Sequence, residues 1–313
     1  MKPKILQMCA LSPELDAALA EHYQVIPWWQ SKNTEALLAE HGADIAGIAT
    51  AAPTGVPSSL IEVLPALRVI SCRGVGLDKI DLNLAKSRDI QVAGSFGTLS
   101  DCVADLAFAL LLDVARQVSQ SDQYLRQGQW LQARYPLTTR VSGKRLGIVG
   151  LGQIGREVAK RASGFNMQVA YNNRRPVSDV PYQHQPSLKA LAEWADFLVV
   201  CVSGGSETQA LIDQEIIEAL GPKGYLINVA RGTVVDEAAL ISALENGRLA
   251  GAGLDVFAEE PKVPEALIKL SNVVLTPHVA SGTVETRQAM EDLLLENLQA
   301  YFSEGQVKTP APA

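Results

Sequence analysis

The chain has 313 residues, too many for one typical domain and comfortable for two. With 47% hydrophobic and 19% charged residues, it has ordinary globular composition and enough apolar material for real cores. A net charge of −7 and a pI near 5.2 argue against nucleic acid or an anionic membrane as partner, so any anionic ligand must be held by local positive groups.

The first eight residues carry only a short apolar run, without the h-region or cleavage site of a secretory leader, so none is expected. No stretch approaches the ~18 uninterrupted apolar residues of a membrane span. Short β-branched runs alternate with longer amphipathic ones, the pattern of repeated βα units and parallel sheets. In the first third, strands are predicted at Ile5–Cys9, Val25–Trp29, Ile45–Thr50, Arg68–Cys72 and Ile90–Gly94, with a helix at Ser12–Tyr23 opened by Ser-Pro-Glu. A long helix follows at Leu99–Val118, with Val103, Leu106, Leu110 and Val114 on one stripe and Thr98 and Asp101 as candidate caps. It reads as the connector between domains. The second series comprises Arg145–Val149, Gln168–Tyr171, Phe197–Val202, Tyr225–Val229, Gly251–Val256 and Val273–Thr276, enough for one complete doubly wound dinucleotide domain. The last helix, about Val284–Phe302, is expected to return to the first domain and leave the tail Lys308–Ala313 loose. Cys9, Cys72, Cys102 and Cys201 have no CxxC spacing, which predicts buried thiols, no metal site, and a cytoplasmic protein.

Gly150-Leu151-Gly152-Gln153-Ile154-Gly155 is a GxGxxG between an apolar strand and a helical run. Alone the motif is weak. Strand before and helix after strengthen it, because a pyrophosphate needs close backbone approach and a helix amino end. The plain alternative is a tight strand–helix turn without ligand. After the second strand stand Asn172, Asn173, Arg174 and Arg175, where an NAD-specific site commonly places Asp or Glu against the ribose 2′-hydroxyl. No carboxylate occurs before Asp179, and two guanidinium groups could clamp a 2′-phosphate. NADPH is expected, with NADH used less efficiently.

Three segments each place polar residues just past a predicted parallel strand: Asn228–Gly232, Gly253–Pro261 and Thr276–Ser281. Reducing a 2-oxo acid needs a cation for the carboxylate, a proton donor for the developing alkoxide and a hydride. Arg231, His278 and a nicotinamide can supply them. Singly, a lone His is usually structural, an Arg-Gly pair is often a turn, and Glu259-Glu260 before proline could be an exposed loop. Together after consecutive strands they point to a site.

These segments carry a resemblance to the D-2-hydroxyacid dehydrogenase family over nearly the whole chain. Lys144–Gly155, Asn228–Leu240 and Gly251–Pro261 look like its signatures, and Arg73–Asp81 is similar to its substrate loop. Pro136–Thr139 and His278–Arg287 resemble its NADPH-dependent glyoxylate/hydroxypyruvate and hydroxyphenylpyruvate reductase branches. The resemblance implies two doubly wound α/β domains. Residues 99–283 would form a Rossmann-type dinucleotide-binding domain, and residues 1–98, completed by 284–313, a smaller flavodoxin-like substrate domain. It implies Arg231 on the substrate carboxylate and 2-oxo group, His278 as general acid, and Glu260 hydrogen-bonded to His278. An adjacent carboxylate favours the imidazolium form, which suits a proton donor. Backbone N–H groups of Val75 and Gly76 would meet the carboxylate, while Asp255 and the Ala230 carbonyl would receive the nicotinamide amide. Arg73 departs from the apolar or small residue common before Gly-Val-Gly. It could add positive potential at the substrate mouth or pair with a nearby acid.

The resemblance also implies a homodimer through Leu99–Val118 and Tyr124–Val141, the latter carrying Tyr124, Leu125, Trp130, Leu131, Tyr135 and Leu137. An aromatic near Tyr135 would reach the partner's substrate pocket. Rival readings are a short phosphoglycerate dehydrogenase, disfavoured because only one helix and a short tail follow His278, and a nucleotide-sensing corepressor-like module, disfavoured by the absence of a recruitment arm.

Overall fold

A computed structural model describes residues 2–312. The chain forms two compact units, Met1–Leu99 with Val284–Ala313, and Ser100–Thr283.

In the first unit, β1 (Lys4–Gln7), α1 (Pro13–His22), β2 (Gln24–Pro27), α2 (Thr34–His41), β3 (Ile45–Ala51), α3 (Ser58–Val63), β4 (Val69–Arg73), α4 (Leu82–Ser87) and β5 (Gln91–Gly94) alternate. The strands pair in parallel in the order β2-β1-β3-β4-β5, a flavodoxin-like arrangement. β3 and β4 are almost wholly buried, as strands covered on both faces must be. Ser12 starts α1 by accepting from the Leu15 amide at 3.1 Å, with Pro13 at the first helical position where a missing N–H costs nothing. The strand expected over Val25–Trp29 stops at Pro27, because proline cannot donate to a ladder, and Trp28–Gln30 turn as a 3-10 helix.

The second unit opens with α5 (Ser100–Arg116) and α6 (Val118–Arg126). Then come β6 (Arg145–Val149), α7 (Gln153–Ser163), β7 (Gln168–Asn172), β8 (Gln183–His184), α8 (Leu188–Trp194) and β9 (Phe197–Val200). It closes with α9 (Gln214–Leu220), β10 (Tyr225–Asn228), α10 (Glu237–Glu245), β11 (Gly251–Leu254), α11 (Glu265–Lys269) and β12 (Val273–Leu275). The parallel sheet runs β12-β11-β10-β9-β6-β7-β8, so the order reverses between β6 and β9, where an open α/β sheet binds its ligand. All six predicted strands are present. The seventh, β8, is two residues long and too short to leave a pattern.

The long helix expected over Leu99–Val118 is present as α5, ending at Arg116 because Gln117 adopts a left-handed φ of 52° and separates it from α6. Its expected caps serve other ends. The Thr98 hydroxyl donates to the Ser95 carbonyl at 2.8 Å. Asp101, with Asp105 and Glu157, surrounds the Arg161 guanidinium and ties α5 to α7. Cys72 is fully buried, whereas Cys9, Cys102 and Cys201 are partly exposed as residues, the Cys201 thiol itself facing inward.

The final helix, α12 (Val284–Glu304), belongs to the first unit and lies over β4, with Leu294 and Leu298 buried against Ile5, Leu19 and Val69. The tail is ordered, contrary to expectation. The Gly94 amide donates to the Thr309 carbonyl at 3.2 Å and Ala311 to Val92 at 2.7 Å, while Asn297 holds Thr309. The open edge of β5 offers the donors and acceptors that fix this segment. Met1 and Ala313 lie outside the described residues. Among the rest, no helix is long and apolar enough to cross a membrane, and no His/Cys/Asp/Glu group could hold a metal ion.

Candidate active site

The glycine loop lies at the carboxyl end of β6, beside the reversal of strand order. Gly150 has φ +95°, and a Cβ there would sit 2.8 Å from the Val202 side chain. A Cβ on Gly155 would meet the Gly150 carbonyl oxygen at 2.2 Å, so helix and loop touch only because both are glycines. A Cβ on Gly152 would meet nothing within 4 Å, leaving that position open to a ligand. Gly152 gives α7 no side-chain cap, although Ser12, Asn33, Asp81, Ser187, Asp213 and Asp236 cap other helices. The first amides of α7, from Gln153 and Ile154, are therefore donors without intrahelical partners at the positive end of a helix dipole. The loop borders a cleft of about 1160 Å³. Its chemistry fits a pyrophosphate.

Asn173, Arg174 and Arg175 line the same cleft. Asn173 accepts from the Leu151 amide at 2.7 Å and the Asn172 carbonyl from the Gly150 amide at 3.0 Å, so two of the six loop residues spend their N–H groups within the protein. Asp179, the first carboxylate after β7, turns away to make two hydrogen bonds with Arg156, and the guanidinium holds its carboxyl below the usual range. A carboxylate distant in sequence does reach the cleft: Glu207 pairs with Arg174 at 2.7 Å, both side chains almost fully exposed. Sequence reasoning missed it, and the signal available was the Gly204-Gly205 turn just past β9. Burial pushes the Cys201 thiol in the cleft wall up to about 12, so it stays protonated.

The catalytic candidates lie on three loops past β10, β11 and β12. Buried Asn228, at the end of β10, accepts from the Ala230 amide at 3.0 Å and donates to the Arg231 carbonyl at 2.9 Å, closing the turn that presents Arg231. The Arg231 guanidinium donates to the Ala230 carbonyl at 2.7 Å. A Cβ at Gly232 would lie 1.9 Å from the Phe257 carbonyl carbon, so only glycine lets this turn seat against the loop carrying Glu260. Glu260 accepts from the Phe257 amide with one oxygen at 3.1 Å and meets His278 Nδ1 with the other at 2.7 Å. The neighbouring Glu259 is exposed and takes no part in this pair.

His278 has φ +51°, a left-handed conformation open to histidine more readily than to branched residues. Asp255 holds it there. This fully buried carboxylate accepts from the Thr276 hydroxyl at 2.6 Å and the Val279 and Ala280 amides at 2.8 and 2.9 Å, while its own carbonyl accepts from the His278 amide. Most of the Asp255 hydrogen-bonding capacity is thus spent on shaping the histidine loop, a task the sequence did not disclose.

Val75 and Gly76 lie in the first unit, after β4. Their N–H groups make no hydrogen bond among the described residues. Gly74 fixes the turn before them, exchanging bonds with Ser95. Tyr135 is held within its own chain, donating to Gln117 at 2.9 Å with its ring edge-on to Tyr124 at 5.1 Å.

Comparison with known proteins agrees with this arrangement. Residues 108–280 match the model described as D-isomer specific 2-hydroxyacid dehydrogenase, NAD binding domain. The chain is 44% identical to glyoxylate/hydroxypyruvate reductase A of Arabidopsis thaliana, covering 98% of each protein. It is also 44% identical to the 2-ketogluconate reductase of Gluconobacter oxydans, covering 99% of this chain and 98% of that one. The crystal structure of an NADPH-dependent glyoxylate/hydroxypyruvate reductase from Sinorhizobium meliloti, in complex with NADP and malonate, superposes with a TM-score of 0.93 at 41% identity, over 99% of this chain and 97% of that one. Two parallel-sheet units, an open glycine loop and a carboxylate-held histidine past β12 are therefore the marks of a known lineage: the chain belongs to the D-isomer specific 2-hydroxyacid dehydrogenase family, as an NAD(P)-dependent oxidoreductase.

Proposed function

We propose that this enzyme reduces small 2-oxo acids, glyoxylate and hydroxypyruvate first among them, to D-2-hydroxy acids with NADPH. The observation that carries the reading is the 2.7 Å pair between Glu260 and His278 Nδ1. That bond turns Nδ1 toward the carboxylate and leaves Nε2 as the face for the substrate oxygen. Arg231 holds the substrate carboxylate and polarises the 2-oxo group, and the Val75 and Gly76 amides add backbone donors. His278 gives its proton to the developing alkoxide. When bound, the nicotinamide supplies the hydride.

Gly150–Gly155 and the uncapped start of α7 would hold the pyrophosphate, with Asn173, Arg174 and Arg175 at the ribose and its 2′-phosphate. The Ala230 carbonyl and Asp255 would take the nicotinamide amide through the lone pairs left to them. On this reading the first unit is the substrate domain and the second the dinucleotide domain. Loss of absorbance at 340 nm with NADPH and glyoxylate tests the activity, and no turnover of glyoxylate or hydroxypyruvate would refute it. The equal likeness to a 2-ketogluconate reductase makes a longer polyhydroxy acid the second candidate. A panel of kcat/KM values including 2-ketogluconate and 4-hydroxyphenylpyruvate ranks the two.

We further propose a cytoplasmic homodimer. Trp130, Leu131 and Leu137 stand 65%, 93% and 101% exposed on one segment, more apolar surface than a solvated loop carries. Light scattering near twice 33.5 kDa would agree, and a fully active monomer would not.

A further inference from the structure

The cleft of the second unit contains a group that the reaction above does not use. Among the described residues that line it, Glu207 alone carries a carboxylate. It stands on the turn Ser206–Thr208, just past β9, and that turn is tied down. The Thr208 hydroxyl donates to the Ser203 carbonyl at 2.9 Å and to the Gly205 carbonyl at 3.2 Å, and the Thr208 amide donates to Gly205 at 3.1 Å. Two residues on, the Ala210 amide donates to the Thr233 carbonyl at 2.8 Å. The backbone is braced, while the Glu207 side chain is 78% exposed and its partner Arg174 89%. A pair so exposed is worth little, and either member can exchange it for another partner at small cost.

The residues that follow β7 bring cations and amides to this corner but no free carboxylate. Asn173 Oδ1 already accepts from the Leu151 amide, and the Asn173 carbonyl faces His184 Nε2 at 3.2 Å. Asp179 is taken by Arg156. A ribose with a free 2′-hydroxyl presents a hydrogen-bond donor, which a carboxylate receives best. A ribose with a 2′-phosphate presents an anion, which a guanidinium receives best. Arg174 and Glu207, 2.7 Å apart, offer one group of each kind at a single place in the cleft.

We propose that Glu207 accepts the ribose 2′-hydroxyl of NADH, so that the Arg174–Glu207 pair is a two-way selector through which the protein takes either cofactor. The inference deepens the cofactor reading above and rests on it. With NADH, the hydroxyl donates to Glu207, and the ion pair with Arg174 stays closed. With NADPH, Arg174 leaves Glu207 for the phosphate and joins Arg175 there, while Glu207 swings into solvent away from the like charge. The acid that an NAD site commonly carries at the end of its second strand is here supplied from the loop past β9.

The experiment uses three nucleotides that carry only the adenosine half of the cofactor, titrated calorimetrically against the unmodified protein, Glu207→Gln and Glu207→Ala. The unmodified protein should bind 5′-AMP about threefold or more tighter than 2′-deoxy-5′-AMP, because only the first has the hydroxyl that donates to the carboxylate. Glu207→Ala should bind the two equally, and Glu207→Gln, which keeps an acceptor oxygen without the charge, should fall between. Adenosine 2′,5′-bisphosphate should bind Glu207→Ala a few-fold tighter than the unmodified protein, since Arg174 no longer has a competing carboxylate. In turnover, Glu207→Ala should raise KM for NADH about threefold. Equal binding of 5′-AMP and its 2′-deoxy form by the unmodified protein would overturn the selector. So would a preference that survives in Glu207→Ala, or weaker binding of the bisphosphate by that variant. Absence of glyoxylate turnover, with the nucleotide preferences as expected, would overturn the reductase reading instead and leave the selector standing.

Discussion

The two ends of the second unit's site are built on opposite principles. Around the histidine the loops are braced by buried polar side chains: Asn228 closes the Arg231 turn, Gly232 seats that turn, and Asp255 gathers three donors to hold His278 left-handed. Around Asn173–Arg175 and Glu207 the charges stand in solvent and pair across sequence-distant loops. On the proposed reading, proton transfer requires atoms placed to within a fraction of an ångström, and that end is cross-braced by the buried Asn228 and Asp255. On the same reading, phosphate discrimination needs only charge of the right sign within reach, and the other end stands open to solvent.

The sharpest test of this contrast is at the rigid end. His278→Ala should lower kcat by about 10² to 10⁴ with NADPH binding nearly intact, measured by steady-state kinetics and fluorescence titration. If the cofactor dissociation constant rose by a similar factor, the two ends would be one structure. Asp255→Asn should destabilise the fold by about 1–3 kcal/mol, because an amide nitrogen would then face a backbone N–H. Its kcat should fall as well, since the histidine loop loses its brace. Chemical denaturation and kinetics together check both outcomes, and a variant of native stability and rate would remove Asp255 from the loop's support.

The open end should respond differently. Arg174→Ala with Arg175→Ala should cut the ratio of kcat/KM for NADPH over NADH about tenfold, or ~1.4 kcal/mol, with kcat on NADH unchanged. The smallest effect is expected at Glu207. Removing its charge in Glu207→Gln frees Arg174 and should lower KM for NADPH a few-fold, more at low salt than at high, as for any exposed pair. A rise in KM would mean that Glu207 positions Arg174 for the phosphate rather than competing with it.

What could be read in advance follows the same division. Buried parallel strands announce themselves as continuous apolar runs, so Arg145–Val149 was legible to the residue, and the motif glycines and the Arg231, Glu260 and His278 set stood in the segments where they were sought. Asp255 was seen, but its principal task was not, because its three donors come from a loop more than twenty residues away. Glu207 lies 33 residues from Arg174, and no periodicity links them. The Gln117 break leaves the apolar stripe of α5 intact and so leaves no trace. The tail's polar, proline-containing composition suggested looseness, whereas its order comes from the edge of β5, a partner that composition does not name.

The return of α12 to the first unit has a consequence for how the protein is made. The ribosome releases β1–β5 early, yet the helix that covers β4 emerges only after all of Ser100–Thr283. During synthesis the second unit can fold as a contiguous stretch, while the first waits with a bare sheet face. Closing it then joins ends that the intervening unit has already drawn into a compact body, so the loop entropy is smaller than for a flexible chain of equal length. Nascent first-unit strands are therefore the species for which a chaperone has most to shield.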